Sequence, residues 1–405
     1  MRAGTGAGVT VQRTAAPGRV AAPWLALLAA PLSFGIGGPA LVLADIARDT
    51  GTTVASATWV VTAFGWGISV GTPLLAGLLA RRGVRGTLAT CAVLVLLGAV
   101  LVNAHPTMAV VALGTALLGL GTAGLLACAM TLAEGARTMG LISAALAALG
   151  ATGPLVGSLA GSLIDWRASL TLPALGLLAL PVVLRRPGPG GATVTAPFDV
   201  TGAALLMALV TALVTIPHQP LPAAVAAALA AGALAVHLRR RPDGFLPAVL
   251  VRSPAFLLAA ATTLFLAIVN FGLFYAAPVL LARQTGWSPA AVGAVMLWPY
   301  LLGGGLSWVV VAVTARLHLR TVAAGLAATV VAATLVAWTV AAVPILLVAF
   351  AAGSIAAASG QGALARHAAE AVPAPYRSPA LGMFTLCYLL GTAFGPAIVA
   401  LVLAT

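Results

Sequence analysis

Apolar residues fill this chain in long runs, and polar residues cluster in the short gaps between the runs. A membrane-spanning helix needs about 20 mostly apolar residues, so each run predicts one transmembrane helix. The pattern predicts thirteen spans. They lie at 22–44, 56–80, 87–104, 107–132, 138–163, 168–184, 199–216, 221–238, 254–281, 288–314, 321–339, 342–365 and 378–404.

The gaps divide the spans into groups. The Pro- and Gly-rich stretch "RRPGPGGATVTAP" at 185–197 is the one candidate for a flexible linker, and it separates the first six spans from the rest. We therefore predict an all-α polytopic membrane protein made of two six-helix-type repeats with two extra linking helices. The predicted units are a cytoplasmic tail at 1–21, a six-helix bundle at 22–186, a linker with two extra helices at 187–253, and a five-helix bundle at 254–405.

Composition excludes a soluble fold, because 61% of the residues are hydrophobic and only 7% are charged, against about 25% charged in ordinary globular domains. The net charge of +13 comes entirely from arginines. With the N terminus placed in the cytoplasm, 17 of the 20 arginines fall on the cytoplasmic side, as the positive-inside rule requires. This distribution favours a multi-pass protein of the cell membrane over a nucleic-acid-binding protein.

Two pairs of segments repeat along the chain in the same order. The second and tenth spans end in "LLAGLLARRGVRGTLAT" and "VVVAVTARLHLRTVAAG", and the fifth and thirteenth contain "LGATGPLVG" and "LGTAFGPAIV". Such repeats are typical of secondary transporters, whose substrate site lies at mid-membrane between the repeats; chance similarity between Ala-, Gly- and Leu-rich helices is the alternative. The repeat also predicts a partner for the sixth span beyond Thr405, and a truncated gene is the simplest explanation for its absence.

Glycines recur every four residues in the fifth span, at Gly153, Gly157 and Gly161, with Pro154 among them. In a membrane such spacing lets two helix backbones approach closely. We expect this face to pack against the other half of the molecule, with Pro154 bending the helix. The residues predicted to form inter-half packing and gating are Gly150, Gly153, Pro154, Gly157, Gly161, Gly391, Gly395 and Pro396.

Ordered motifs give the chain a family resemblance over roughly residues 22–405. It resembles the major facilitator superfamily, most closely the fourteen-helix drug:proton antiporter branch. The motifs are "WVVTAF" at 59, "GLLARRGVRG" at 77, "GATGPLVGS" at 150, "DWRASLTLPALGL" at 165, "PFDVTGAALL" at 197 and "HAAEAVPAPYRSPALG" at 367. The second of these is similar to the cytoplasmic loop signature of the family, which the resemblance assigns to Gly77, Arg81, Arg82, Gly83 and Arg85.

Proton coupling is implied by the resemblance, but the polar positions linked to it differ here. Arg81 stands where the loop signature has an acidic residue, Thr115 replaces an Arg in the fourth span, and Gly35 aligns with an Asp of the first span. None of the seven acidic residues is near the middle of a predicted span. Coupling through an end-of-span group such as Asp45, an uncoupled facilitator, and a degenerate, non-transporting scaffold all stay open.

An uncharged substrate cavity would be lined by amides, hydroxyls and aromatic rings. Asn270, Phe271 and Tyr275 share a loose face of the ninth span, and an Asn in hydrocarbon needs a partner or water, so it should face the interior; a helix–helix hydrogen bond is the alternative role. In the tenth span Trp298 and Tyr300 flank a proline, where they would stack on an aromatic or cationic solute or simply pack. Ser354 and Gln361 of the twelfth span complete the candidates.

No P-loop motif, catalytic constellation or metal-ligand cluster is found in the sequence, so we predict neither an enzyme nor a bound cofactor or metal. Cys91, Cys128 and Cys387 lie inside apolar runs and have no metal-ligand spacing. The sequence thus predicts a monomeric transporter that moves a small organic solute across the lipid bilayer by alternating access. Efflux of a drug-like compound or secondary metabolite is what the family resemblance implies, with protons as the implied coupling ion.

Overall fold

The computed structural model describes residues 20–104, 107–133, 136–185, 199–314, 316–340 and 342–404, and over these residues it is helical with no strand. Thirteen long helical segments follow one another, which agrees with the predicted order of spans. They are α1 (Ala22–Leu41), α2 (Val54–Leu79), α3 (Arg81–Ala104), α4 (Met108–Leu132), α5 (Ala136–Leu163), α6 (Trp166–Leu184), α7 (Val200–Thr215), α8 (Pro220–Arg240), α9 (Pro254–Thr285), α10 (Pro289–Thr314), α11 (Leu319–Thr339), α12 (Val343–Glu370) and α13 (Arg377–Ala404).

Twelve of these segments, within the described part of the chain, are long and apolar enough to cross a membrane. The exception is α7, which has 16 residues, or about 24 Å of helix. It nevertheless forms an antiparallel hairpin with α8. The tail at 1–19 and most of the predicted linker, residues 186–198, lie outside the described residues.

The first span is interrupted in its middle. It consists of helix Ala22–Ala29, helix Leu32–Gly37 and the 3₁₀ turn Gly38–Leu41. Proline cannot donate a backbone hydrogen bond and glycine is a poor helix former, and Pro31, Gly35, Gly37, Gly38 and Pro39 all fall in this stretch. The interruption exposes backbone where neighbouring helices can come unusually close.

The glycine face of α5 packs against this interrupted stretch of α1. A Cβ added to Gly157 would lie 2.6 Å from the Cα of Gly38, and one added to Gly153 would lie 2.9 Å from the Cα of Gly37. The prediction that this face meets the other half of the molecule is therefore wrong, because the space that a side chain would need is filled by a helix of the same half. A Cβ added to Gly161 would lie 2.7 Å from the side chain of Val42, the residue that follows α1.

The C-terminal half repeats this arrangement. A Cβ added to Gly395 of α13 would lie 2.6 Å from the backbone nitrogen of Gly272 in α9, and Gly391 faces Ala267 of the same helix. The pairs α5–α1 and α13–α9 therefore use glycine contacts in equivalent places, in agreement with the order of the sequence repeats. Gly391 and Gly395, like the α5 glycines, pack within their own half.

Two other helix pairs join the halves. In one, Gly65 of α2 faces α13, where an added Cβ would lie 2.8 Å from the backbone nitrogen of Ala393. In the other, Gly293 of α10 faces α5, where an added Cβ would lie 2.9 Å from the Cα of Leu155. The inter-half contact predicted for α5 thus exists, but it is made by the face that carries Leu155, and the partner helix contributes the glycine.

The α5–α10 seam is tighter at one end of the bundle. We call the end where α1 begins the near end and the opposite end the far end. Towards the far end, α10 buries Val292, Gly293, Met296 and Pro299, whereas none of residues 304–314 is buried. The near part of α5 is also exposed, with Ile142 the one buried residue in the range 139–147. Along this seam the halves are in contact from the far end as far as Gly304, whose added Cβ would lie 3.2 Å from the Cβ of Ala147 in α5, and the helix faces nearer the near end are exposed.

Polar contacts hold the α7–α8 hairpin in place. Asp199 caps α7 by accepting from the Gly202 backbone N–H at 2.9 Å, and its carboxylate also lies 2.9 Å from Nε2 of His237 in α8. The Trp66 indole in α2 donates to Thr211 at 2.8 Å. The hairpin is therefore anchored at its near end by Asp199 and along its length by α2.

The Asp199 anchor predicts an acid-sensitive hairpin. Burial raises the pKa of this carboxyl, but hydrogen bonds from Phe245, His237 and Gly202 outweigh burial and lower the pKa to about 2. A carboxyl whose folded pKa lies below its unfolded value stabilises the fold above the unfolded pKa of about 3.9 and loses that contribution as the pH falls towards 2. We expect the thermal midpoint of the purified protein to fall over this range.

The Asp199→Asn variant should start from a lower midpoint at pH 7 and show a flatter profile between pH 4 and 2, measured by thermal unfolding in detergent. The exposed Asp45→Asn variant should keep the wild-type profile, because Asp45 is exposed and pairs with the exposed Arg48. Parallel acid profiles for wild type and Asp199→Asn would contradict the assignment.

Candidate functional site

Aromatic side chains from three helices of the C-terminal half meet near the centre of the bundle. The rings of Phe274 in α9 and Tyr300 in α10 have centroids 4.7 Å apart, and Phe274 also lies against Tyr275 at 5.7 Å. Phe271, one turn before Phe274 and Tyr275, makes an edge contact at 5.9 Å with Tyr388 of α13. We call these five residues the aromatic cluster.

The aromatic cluster contacts the N-terminal half at the interruption of α1. The Tyr275 hydroxyl donates a hydrogen bond to the backbone carbonyl of Ile36. Phe274 lies beside Gly37, whose added Cβ would be 3.3 Å from the end of its ring. The helix break therefore supplies a backbone acceptor, and a side chain of the opposite half satisfies it.

Two polar groups at this site have no hydrogen-bond partner among the described residues. The Tyr300 hydroxyl is buried, and the Asn270 amide is half-buried. Thr62 of α2 and Thr263 of α9 also bury unpartnered hydroxyls. Buried polar groups without partners are uncommon in native proteins and indicate water or a ligand. The site combines aromatic surface with a few unused donors and acceptors, as small-molecule pockets do.

An aromatic ring closes the space at Gly35, where the family resemblance predicts an acidic residue. A Cβ added to Gly35 would overlap the ring of Phe64 in α2, which is 2% exposed. No side chain fits at position 35 unless this buried ring moves.

The structure separates the other predicted cavity residues from the aromatic cluster. Trp298 is 41% exposed, because it lies two residues from Tyr300 and so points about 200° away around the helix. Ser354 of α12 packs against Gly303 of α10, in a contact within the C-terminal half. Gln361 is exposed towards the near end. Of the predicted set, Phe271, Tyr275 and Tyr300 belong to the cluster and Asn270 is their neighbour.

Sequence reasoning missed Phe64, Phe274 and Tyr388. Phe274 and Tyr388 each have a partial signal, since Phe274 adjoins Tyr275 and Tyr388 lies in the span that carries the repeated Gly-Pro motif. Phe64 could not be found in this way, because its contact with Gly35 depends on how α1 and α2 are rotated relative to each other.

Carboxylates lie at the ends of the bundle. Asp49 accepts from the Trp166 indole at 2.7 Å, and Asp243 accepts from the Tyr376 hydroxyl at 2.7 Å. Glu134 lies outside the described residues. Within the described ranges, no three His, Cys, Asp or Glu side chains come together as a metal site would require.

The loop-signature residues surround the near-end kink at Gly83, just after the start of α3. Gly83 has φ 67°, a conformation that favours glycine, and a Cβ there would meet nothing within 4 Å. Arg82 and Arg85 are exposed beside it, and Gly77 and Arg81 flank the turn. The structure explains the glycine by its backbone; the assignment of these residues to the cytoplasmic loop signature stays a prediction.

Comparison with known proteins gives the chain a family. The sequence profile described as Major Facilitator Superfamily matches residues 24–242, which is more than half of the chain. No curated protein matches the chain.

Solved structures share the fold at low sequence identity. A crystal structure of the POT family transporter PepTSo has a TM-score of 0.63 and 16% identity, covering 94% of this chain and 88% of its own. A bacterial homolog of the human lysosomal transporter Spinster, in an inward-facing and occupied conformation, has a TM-score of 0.61 and 15% identity, covering 94% and 80%. The human organic anion transporter MFSD10 (TETRAN) has a TM-score of 0.58 and 15% identity, covering 94% and 92%.

Proposed function

Because this chain belongs to the major facilitator superfamily, we propose that it is a secondary transporter that moves a small organic solute across a membrane by alternating access. The observation that carries this proposal is the arrangement of the inter-half seams. The halves touch through α2–α13, α5–α10 and the contact of α9 with the α1 break, and the α5–α10 contact is close from the far end to Gly304, with exposed helix faces beyond it. Such an arrangement is expected of one state of a rocking transporter.

The aromatic cluster is the proposed solute site. Its rings offer stacking surface, and the Asn270 amide and the Tyr300 hydroxyl offer hydrogen bonds to a solute. No carboxylate or arginine among the described residues lies beside them at mid-span. This chemistry favours a neutral aromatic solute, or a cation that stacks on aromatic faces. We therefore propose efflux of a drug-like compound or secondary metabolite.

We propose that the near end of the bundle faces the cytoplasm. The protein would lie in the plasma membrane, as a monomer. The turn arginines Arg82 and Arg85, the hairpin arginines Arg239 and Arg240, and Arg377 all lie at the near end. Cytoplasmic loops carry an excess of arginine and lysine. In this orientation the structure corresponds to an inward-open state.

An uncoupled facilitator is the second candidate. The Phe64 ring fills the space at Gly35, and the described carboxylates lie at span ends. Proton-coupled transporters usually carry an ionisable group within the membrane. Antiport would require a proton carrier at a span end, such as Asp45.

Flux in proteoliposomes, with and without an imposed pH gradient, tests the function. Aromatic drug-like cations and neutral aromatic compounds are the probes. Flux that follows the pH gradient supports antiport, and flux that ignores it supports the facilitator. Absence of flux for every probe, from a folded and monodisperse protein, would contradict transport and favour a non-transporting partner protein.

Asn270→Ala tests the site. If the amide contacts solute, flux should fall about fivefold, since a lost hydrogen bond costs about 1 kcal/mol, while expression and the thermal midpoint stay near wild type. Asn103→Ala is the matched control, because the Asn103 amide is exposed and bonds its own helix at the Ala99 carbonyl. Equal loss of flux and expression in Asn270→Ala would make that residue structural.

A further inference from the structure

Specific side-chain contacts join the α7–α8 hairpin to α2 at two heights of the bundle. At the far end the ring of His218, in the turn between α7 and α8, stacks on the Trp59 indole, with ring centroids 3.9 Å apart and planes 21° apart. At mid-height of α2 the Trp66 indole donates to the Thr211 hydroxyl at 2.8 Å. Two directional contacts at different heights fix the position of the hairpin along α2.

The same helices pack on each other towards the near end. Leu206 and Val210 of α7 line a narrow space together with Val70 and Leu74 of α2. Val70 and Val210 are each 2% exposed, so side chains fill this part of the contact. The hairpin therefore follows α2 from Trp59 to Leu74, which is about 22 Å along the helix axis. By these contacts it belongs to the N-terminal half.

The connection from α8 to α9 leads from this attachment to the C-terminal half. Near its start, the Phe245 N–H donates to the Asp199 carboxylate at 3.0 Å, which ties it to the base of the hairpin. At its end, the Ser253 hydroxyl donates at 3.2 Å to the carbonyl of Ala371, in the connection between α12 and α13. Residues 241–253, which we call the strap, therefore join the two halves at the near end.

One hydrogen bond of the strap crosses from the hairpin side to the C-terminal half. The Asp243 carboxylate accepts from the hydroxyl of Tyr376, in the connection between α12 and α13, at 2.7 Å. Asp243 lies only two residues before Phe245, which is tied to the hairpin. Because side-chain hydrogen bonds are lost by about 3.6 Å, a shift of about 1 Å between the hairpin and Tyr376 breaks this contact. We call it the strap bond.

We propose that the hairpin moves with the N-terminal half and that the strap bond holds the near end open. The inference rests on the proposed function, since it assumes alternating access. The hairpin contacts with α2 lie on one side of the boundary between the halves, whereas Asp243 and Tyr376 are attached to opposite sides of it. Closure of the near end changes their separation and breaks the bond. The bond therefore favours the near-open state by about fivefold.

Spin-label distances test both parts of the proposal without any solute. In cysteine-free protein, labels at Arg82→Cys and Arg239→Cys report the separation of the hairpin from the N-terminal half. Labels at Arg239→Cys and Arg320→Cys report its separation from the C-terminal half, and all three positions are exposed at the near end. Tyr376→Phe removes only the hydroxyl. We expect it to leave the first distribution unchanged and to shift the second, with about a fivefold gain of the near-closed population.

Asp243→Ala removes the acceptor of the same bond and should produce the same shift. The double variant with Tyr376→Phe should shift no further, because both substitutions remove one interaction. Asp243 is exposed, so its replacement leaves the core intact. Asp45→Ala is the matched control, since this exposed carboxylate pairs with Arg48 at the far end and should leave both distributions unchanged.

Three results would overturn the proposal. A shift of the Arg82–Arg239 distribution in the strap variants would show that the hairpin does not follow the N-terminal half. An unmoved Arg239–Arg320 distribution in both single variants, or an equal shift in Asp45→Ala, would show that the strap bond does not hold the near end open. Failure of the proposed function is a separate result, because it is seen as absence of flux in proteoliposomes, whereas these distances are measured without solute.

Discussion

Gly157→Ala is expected to destabilise the protein more than any other single methyl group added to α5. The new Cβ would lie 2.6 Å from the Cα of Gly38 and closer still to the Gly38 carbonyl oxygen. Both neighbours are backbone atoms, so α1 and α5 have to separate. Overpacking of this kind costs about 1–3 kcal/mol, and backbone contacts leave no rotamer change to relieve it. Thermal unfolding of the purified protein, followed by loss of the monodisperse peak, measures the effect.

Gly150→Ala is the control on the same helix, since its added Cβ would meet nothing closer than Ser33 at 3.8 Å. It should unfold at or above the wild-type temperature, because alanine favours helix by about 1 kcal/mol over glycine. The equivalent pair of variants in the other half is Gly395→Ala and Gly382→Ala. Gly395→Ala should lower the stability of the protein, whereas the Cβ added at Gly382 would meet nothing within 4 Å and should not. Equal midpoints for Gly157→Ala and Gly150→Ala would show that the α1–α5 contact contributes little.

Gly293→Ala is expected to open the far end. Its Cβ would lie 2.9 Å from the Cα of Leu155, across the seam between the halves. The overlap exists only while the far end is closed, so the substitution penalises that state and leaves the far-open state unaffected. A cost of about 1–3 kcal/mol shifts the ratio of the two states by about tenfold for each 1.4 kcal/mol.

Spin labels at Ile164→Cys and Trp287→Cys report this change, because both positions are exposed at the far ends of α5 and α9. Labelling requires replacement of Cys91, Cys128 and Cys387. The distance distribution should move to longer values in Gly293→Ala and stay unchanged in Gly305→Ala, whose Cβ meets nothing within 4 Å. Unchanged distances in Gly293→Ala would show that this seam does not close the far end.

Hydropathy predicted the helical segments to within a few residues, since length and apolarity depend on composition alone. The glycine spacing of α5 predicted correctly that another helix comes close, but the choice of partner was wrong. A stripe of small residues shows that a backbone approaches and carries no information about which one. The partner, α1, carries Gly37 and Gly38 next to Pro39, a combination that also marks the helix break.

The candidate site was predicted in part. Phe271, Tyr275 and Tyr300 were identified because they are aromatic residues near mid-span, which is a property of single positions. Trp298 was grouped with Tyr300 by proximity in sequence, although two residues on a helix differ by about 200° in direction. Tyr388 joins the cluster because α13 is rotated towards α9, and that rotation depends on tertiary contacts such as Gly395 against Gly272.

The hydrogen bond from Tyr275 to the Ile36 carbonyl has a consequence for the entry of water. It satisfies a backbone acceptor at a helix break, within a membrane span where lipid hydrocarbon offers no donor. In the proposed transport cycle, opening of the far end would withdraw the tyrosine, and the carbonyl would then need water or the solute as its donor. In that cycle opening would be a wetting step as well as a movement of helices, and the solute would compete with water for the same oxygen.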